Sequence, residues 1–188
     1  QKGEMAIGGT IMDRDTFKKY LDTRTYDKTY QDIEYIDFIG YSQSFKTWNA
    51  IKDLIDWKEK RVADLGCFHG YFSFIIARHG AKVVGMDRSP EVLETTEILN
   101  NVYGNIITTK VWVGGEPVSG DFDVALCLNV LHHFGDEEKA LQNIKSKWAI
   151  FEVKYDQRFL IAQYFDIIRK VPSHRVGRII ILGERNES

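Results

Sequence analysis

No apolar run in the 188-residue chain approaches the ~18–20 residues needed to cross a bilayer, so no membrane span is expected. Metal-ligand spacing is missing too. The two cysteines, Cys67 and Cys127, stand far apart, and no Cys, His, Asp or Glu cluster completes a recognisable set, so no metal is expected. Both cysteines fall in a strand-like run or at its mouth, which favours reduced thiols over a disulfide and hence a cytoplasmic setting. The first residues, QKGEMAIGGT, lack the apolar stretch of a secretory signal. Internal repeats and low-complexity linkers are absent. Neither phosphate-binding spelling, G-x-G-x-x-G or G-x-x-x-x-G-K-[ST], occurs.

What remains is the composition of an ordinary globular domain, 44% hydrophobic and 28% charged, large enough for a real core. The net charge is −2, with a mild basic bias over residues 144–188, which carry 9 Lys/Arg against 5 Asp/Glu. Such an imbalance is usually a solvated face, and no dense basic patch is evident. Residues 13–60 show helix-like spacing rich in aromatics (Phe17, Tyr20, Leu21; Ile33, Ile36, Ile39; Trp48, Ile51, Leu54, Ile55), which predicts two or three helices. The organisation predicted is an N-terminal helical segment over residues 1–50, packed on the core or forming a lid, ahead of a ligand-binding domain over 51–188. In GYSQSFKTW, Tyr41, Ser44, Lys46 and Trp48 are lid candidates, although core packing suits Phe45 and Trp48 better.

From residue 61 the period alternates. Short β-branched runs at Arg61–Leu65, Lys82–Met86, Ile106–Val113, Phe122–Leu128, Trp148–Lys154 and Arg178–Gly183 are separated by helical patterns at Tyr71–His79, Pro90–Val102, Asp136–Lys145 and Arg158–Arg169. Ser89-Pro90 supplies an N-cap and an N1 proline. This alternation predicts an α/β fold, doubly wound, with a mostly parallel sheet and helices on both faces. After the last helical pattern, Val171–Arg175 and Arg178–Gly183 predict a strand pair with one antiparallel member, and 113–121 reads as a loop.

The stretch RVADLGCFHGYFSF at 61–74 has the strand–turn–helix order of a nucleotide cradle. Asp64 at the strand end argues against phosphate. At ~4 Å and an effective dielectric near 20, unlike unit charges gain and like charges lose about 4 kcal/mol. A ligand with a cationic amino-acid end fits this turn better. Asp87, at the next strand end, follows at the spacing of a carboxylate that holds a ribose diol. A ligand with a base, a ribose and a cationic amino-acid portion, but no phosphate, is S-adenosylmethionine.

Four pieces of sequence then carry a family resemblance: VADLGCFHG at 62–70, VVGMDRSPE at 83–91, FDVALCLNVLHHF at 122–134, and the strand-like ends at 148–154 and 178–184. In order and interval they resemble the class I S-adenosylmethionine-dependent methyltransferases. The first turn and LNVLHHF are similar to a subgroup that includes tRNA wobble-uridine methyltransferases, with Phe68 at the middle-glycine position and His132 where many members have tyrosine. The resemblance implies a seven-stranded sheet whose last strands form a reversed hairpin. It implies that Asp64, Gly66 and Gly70, with Cys67 and Phe68 in the same turn, surround the methionine portion, and that Asp87 holds the ribose. Arg88 would lie beside the adenine, Trp112–Val113 would flank the base, and Leu128–Asn129 would line the sulfonium side. The family's acid after the third strand is missing, since VWVGG offers none before Glu116.

The reaction expected is methyl transfer to an O or N nucleophile of RNA or a small molecule, releasing S-adenosylhomocysteine. His132 is the candidate base, and His133 and Arg175 are candidate substrate contacts, each weighed against a structural or solvated role. In-line positioning alone can also serve such a transfer. Two alternatives stay open. One is a methyltransferase-fold binding protein without catalysis. The other is an NAD-dependent oxidoreductase, which would require the absent G-x-G-x-x-G turn.

Overall fold

The computed structural model describes residues 12–186. Thirteen regular elements follow in order: α1 (Arg14–Asp22), α2 (Ser44–Ile51), β1 (Arg61–Leu65), α3 (Tyr71–Arg78), β2 (Lys82–Asp87), α4 (Pro90–Val102), β3 (Thr108–Val111), β4 (Val124–Leu128), α5 (Glu137–Asn143), β5 (Trp148–Lys154), α6 (Arg158–Ile161), β6 (Phe165–Pro172) and β7 (Arg178–Arg185). One seven-stranded sheet has the order β3-β2-β1-β4-β5-β7-β6. The first five strands run parallel, and β7 is antiparallel to both its neighbours. The doubly wound sheet and its reversed terminal hairpin are therefore present. Among the described residues no helix is long and apolar enough to cross a membrane.

Alternation along the strands divides the core between the two faces of the sheet. Val62, Val124, Leu126, Ile150 and Ile180 belong to one cluster, with Phe17, Leu21, Trp48 and Phe74 from the helices. Ala63, Leu65, Ala125, Cys127, Phe151 and Ile181 belong to the other, with Leu141 of α5 and Ile161 of α6. Helix starts follow local chemistry: Ser89 Oγ accepts from the Val92 amide at 3.3 Å, with Pro90 at the first turn, and Asp136 Oδ1 accepts from Lys139 N at 2.9 Å.

Two sequence expectations are corrected. The pattern over Arg158–Arg169 is a single helical turn followed by an edge strand from Phe165. A register shift between Ile167 and Arg169 leaves Ile168 bulged and 52% exposed. The two adjacent isoleucines thus hide the alternation of a strand and imitate a helical stripe. The second correction concerns Ile33, Ile36 and Ile39. Only Ile36 lies on a short 3₁₀ turn (Glu34–Ile36), inside a small loop closed by Ile33–Phe38 backbone bonds, and Ile39 follows that loop and is exposed. Between α1 and α2 the chain is mostly loop, and residues 113–121 are loop as expected.

The strand reading of 165–172 makes a contrast in stability. Phe165→Ala, at a fully buried side chain, should cost about 3–5 kcal/mol in urea unfolding. Ile168→Ala, at the exposed bulge, should stay within about 0.5 kcal/mol. A large loss at Ile168 would contradict the bulged register.

Candidate active site

Beyond the carboxyl ends of the central strands lies a cavity of about 820 Å³. It sits where strand order reverses between β1 and β4, the position at which open α/β sheets hold ligands. Its floor is the turn after β1. Gly66 has φ +71°, and a Cβ there would come within 2.4 Å of Val130 Cγ2, so both conformation and space require glycine. The amides of Gly66 and Cys67 both donate to Met86 O, at 2.7 and 2.9 Å, tying the turn to β2. Phe68 also takes a positive φ, +52°, which a middle glycine would adopt without strain. Its amide donates to Asp87 Oδ2 at 3.2 Å, its carbonyl accepts from Thr96 Oγ1 at 2.6 Å, and its ring meets Tyr26 and Tyr30 edge-on.

One wall comes from the end of β2, where Asp87, Arg88 and Ser89 face the space. Asp87 accepts one amide on each oxygen, from Phe68 and from Ser89 at 3.0 Å, which leaves lone pairs for further donors. Trp112 and Val113 follow β3. The indole is mostly buried, donates to Glu116 O at 3.2 Å and meets Phe134 at right angles. On the opposite side are Leu128, Asn129, Val130 and His133. Asn129 also has positive φ, and its Nδ2 donates to Tyr30 Oη at 2.7 Å, while its Oδ1 is buried without a partner.

Tyr26, Asp27, Tyr30 and Tyr41 form the roof. Tyr26 Oη lies 2.6 Å from Thr95 Oγ1 and 3.0 Å from His69 Nε2. Burial drives the His69 pKa down to about 3, so this ring is a neutral packing element. Of the lid candidates in 40–48, Tyr41 lines the cavity, whereas Ser44 and Trp48 are buried elsewhere.

Asp64, Cys67, Gly70, His132 and Arg175 do not line the main cavity. Gly70, at φ +82°, is needed where α3 starts close to α4, since a Cβ would meet Phe74 and Thr96 at 2.9–3.0 Å. Cys67 is fully buried, and its thiol is pushed up by burial. Asp64 and Arg175 border a chamber of about 20 Å³ behind Gly66, room for about one water. Glu152, a buried acid of β5, shares this chamber. It accepts from Ser173 Oγ at 2.6 Å and from Thr47 Oγ1 at 3.3 Å, with Arg175 Nε at 3.8 Å. Glu152 was not anticipated, although an acid inside the apolar run WAIFEVK is a readable signal. Tyr26 and Tyr30, also unanticipated, stand on a loop without periodicity and leave no such trace.

The two adjacent histidines pack ring against ring, with centroids 4.0 Å apart. His133 is exposed on the cavity wall, while His132 is not among its lining residues. Burial, helped by His133, Arg178 and Lys154, lowers His132 to about 4. Asp64 moves the other way. Burial, and then the charge of Asp87, raise it to about 6 against the bond that Ser73 Oγ donates at 2.6 Å.

The family described as "Methyltransferase domain" matches residues 63–148, which include the floor turn, Asp87, Trp112 and the β4 wall. Over those residues, somewhat less than half of the chain, the sequence is similar to a methyltransferase domain. A curated relative from Campylobacter hominis, named tRNA U34 carboxymethyltransferase, is 35% identical over 107 residues, covering 55% of this chain and 38% of the relative. The chain therefore spans about two fifths of that relative's length. Among solved structures, a Listeria monocytogenes S-adenosylmethionine dependent methyltransferase superposes with a TM-score of 0.64 at 17% identity, covering 77% of this chain and all of that one. Magnesium protoporphyrin IX methyltransferase from Synechocystis PCC 6803, solved with bound S-adenosylhomocysteine, gives 0.61 at 18% identity, covering 76% of this chain and 81% of that one. At such identities the likeness is one of fold.

Asp64 makes stability depend on pH in a defined sense. Its folded pKa lies above the unfolded value of 3.8, so the native state holds more protons between these values, and stability falls as pH rises from about 4 to about 6. A shift of about two units corresponds to about 3 kcal/mol. Asp64→Asn should remove that fall in urea unfolding series from about pH 4 to about pH 7. An identical slope in the variant would refute the assignment.

Proposed function

We propose that this methyltransferase domain binds S-adenosylmethionine in the cavity and transfers its methyl group to an O or N nucleophile of RNA. The observation that carries the reading is the cavity at the strand-order reversal, with Gly66, Asp87 and Asn129 on its floor and walls. The residues fit such a cofactor. Asp87 has lone pairs to spare for a diol, and the orphaned Asn129 Oδ1 calls for a donor of the ammonium kind. Asp64 and Glu152, against the single cation Arg175, leave the adjoining chamber short of positive charge. Trp112 and Val113 supply the apolar wall for a base. The buried, free thiols of Cys67 and Cys127 support a cytoplasmic setting.

When bound, the sulfonium supplies an electrophilic methyl carbon. An acceptor's lone pair would take that methyl as the carbon–sulfur bond gave its electrons to sulfur, so the cofactor would supply both the methyl group and the leaving group, S-adenosylhomocysteine. The chain's part is positioning. The tyrosine roof and Phe68 cover part of the cavity, and Asn129 is held by Tyr30. The acceptor's proton goes to His133, the imidazole on the cavity wall, in place of His132. RNA is favoured over a metabolite by the tRNA-acting name of the C. hominis relative. That name also raises a carboxymethyl group as the cargo, and mass spectrometry of the product RNA distinguishes the two.

Calorimetry with S-adenosylmethionine, S-adenosylhomocysteine and NAD tests the cofactor. The first two should bind and NAD should not. Asp87→Asn should weaken binding by about 1.5–3 kcal/mol, ten- to a hundredfold, as for a lost charge-assisted hydrogen bond. Preferential binding of NAD, or none of the three, would overturn the reading. With labelled cofactor and bulk tRNA, His133→Ala should lower turnover about a hundredfold while the cofactor Kd is unchanged. Equal turnover would remove His133 from the reaction and leave positioning alone.

A further inference from the structure

A second surface lies at the same end of the sheet, on the β5–β7 side of the cavity. Lys154 ends β5 and is paired in register with Arg178, which begins β7. Both cations lie close enough to His132 to depress its protonation, and His133 beside it lines the cavity. Past Lys154 the chain turns through Tyr155 into α6, where Arg158 lies against two rings, 3.7 Å from the Tyr155 centroid and 4.0 Å from that of Phe159. These rings are 55% and 65% exposed. The Tyr155 amide donates to Gly177 O at 3.0 Å, which fixes this turn to the β6–β7 connection, where Val176 is fully exposed.

Among the described residues Lys154, Arg158 and Arg178 form no ion pair, and Arg178 Nη1 is buried without an acceptor. Asp156 is the single carboxylate between residues 154 and 160. Exposed aromatic faces held by a guanidinium, flanked by unpaired cations, match a ligand with both π-faces and regular negative charge. A duplex hides its base faces, and an acidic peptide has none to stack. Single-stranded nucleic acid has both features.

We infer that Tyr155, Arg158 and Phe159, with Lys154 and Arg178, form a docking surface for single-stranded RNA beside the acceptor nucleotide. The bases stack on the two rings and the phosphates meet the cations. This rests on the methyl-transfer reading for its direction, because the strand would run from this surface past His132 and His133 into the cavity.

The test is fluorescence anisotropy of the full chain with a labelled oligouridylate, with an RNA duplex and polyglutamate as competitors. Phe159→Ala and Tyr155→Ala should each weaken oligouridylate binding about tenfold. The Lys154→Gln, Arg178→Gln double variant should reduce the slope of log K against log salt by about 1.4. Polyglutamate competing as well as unlabelled oligouridylate, with no effect of the aromatic substitutions, would overturn the proposal in favour of an acidic protein partner. Duplex competing equally would overturn it in favour of mere charge attraction. S-adenosylhomocysteine calorimetry on the same variants keeps the two readings apart. Patch variants that lose RNA but keep the wild-type Kd support the surface. Absence of cofactor binding in the wild type would sink the methyl-transfer reading and leave the RNA result standing.

Discussion

The chain must leave β1 and enter α3 within the five residues from Gly66 to Gly70, and it does so by alternating left-handed positions at Gly66, Phe68 and Gly70. Each positive φ turns the backbone back on itself, so amides face β2 and the turn opens a concave floor where other connections would fill the space. Met86 O takes two of those amides and Asp87 takes a third. The end of β2 thus both holds the turn and presents its acid to the cavity. Phe68 carries the cost of a left-handed non-glycine residue, of order 1–2 kcal/mol. Its ring against Tyr26 and Tyr30 is the compensation the structure provides.

The same turn concentrates negative charge. Asp64 and Glu152 are each 2% exposed, and the one cation beside them, Arg175, holds Glu152 at 3.8 Å with no hydrogen bond from Nε. Desolvated carboxylates in such company are costly unless donors reach them. Ser73, Thr47 and Ser173 supply hydroxyls, which satisfy lone pairs without neutralising charge. A protonated Asp64 is the state that this environment favours in slightly acidic solution. A cationic ligand end arriving over Gly66 would reverse that preference, so cofactor affinity and the protonation of Asp64 are linked in sign.

Much of this was legible because it is local. Asp64, Gly66 and Asp87 announce themselves by standing at the ends of short apolar runs, and the β/α alternation follows from side-chain period alone. The edge strand β6 was misread because its bulge puts Ile167 and Ile168 side by side, breaking the two-residue period. That His133 rather than His132 lines the cavity was unreadable for a similar reason. Both sit on one 3₁₀ turn, Leu131–His133, with their rings in contact, and no sequence period records which of the two meets the cavity. Of the roof, Tyr41 stands among the lid candidates of the sequence, whereas Tyr26 and Tyr30 carry no such signal, since they reach their partners 69 and 99 residues away.

Those distant bonds define how the roof behaves. Gln31 Oε1 accepts from the Tyr71 amide at 3.1 Å, and Gln31 Nε2 reaches Cys67 O at 3.4 Å, so the roof segment caps α3, whose own N-cap, Gly70, has no side chain to do so. Tyr30 holds Asn129, and Tyr26 holds Thr95 and His69. The segment between α1 and α2 is mostly loop, yet it is joined to the floor turn, to α4 and to the β4 wall at separate points. Hydrogen bonds of this kind contribute about 1 kcal/mol each, and Ile33, buried in the core with Tyr35, Ile36 and Phe38 packed against the same cluster, adds an apolar anchor to the segment. The contacts of Tyr26, Tyr30 and Gln31 thus fix the roof over the cavity, while the turn beneath them sets the shape of its floor.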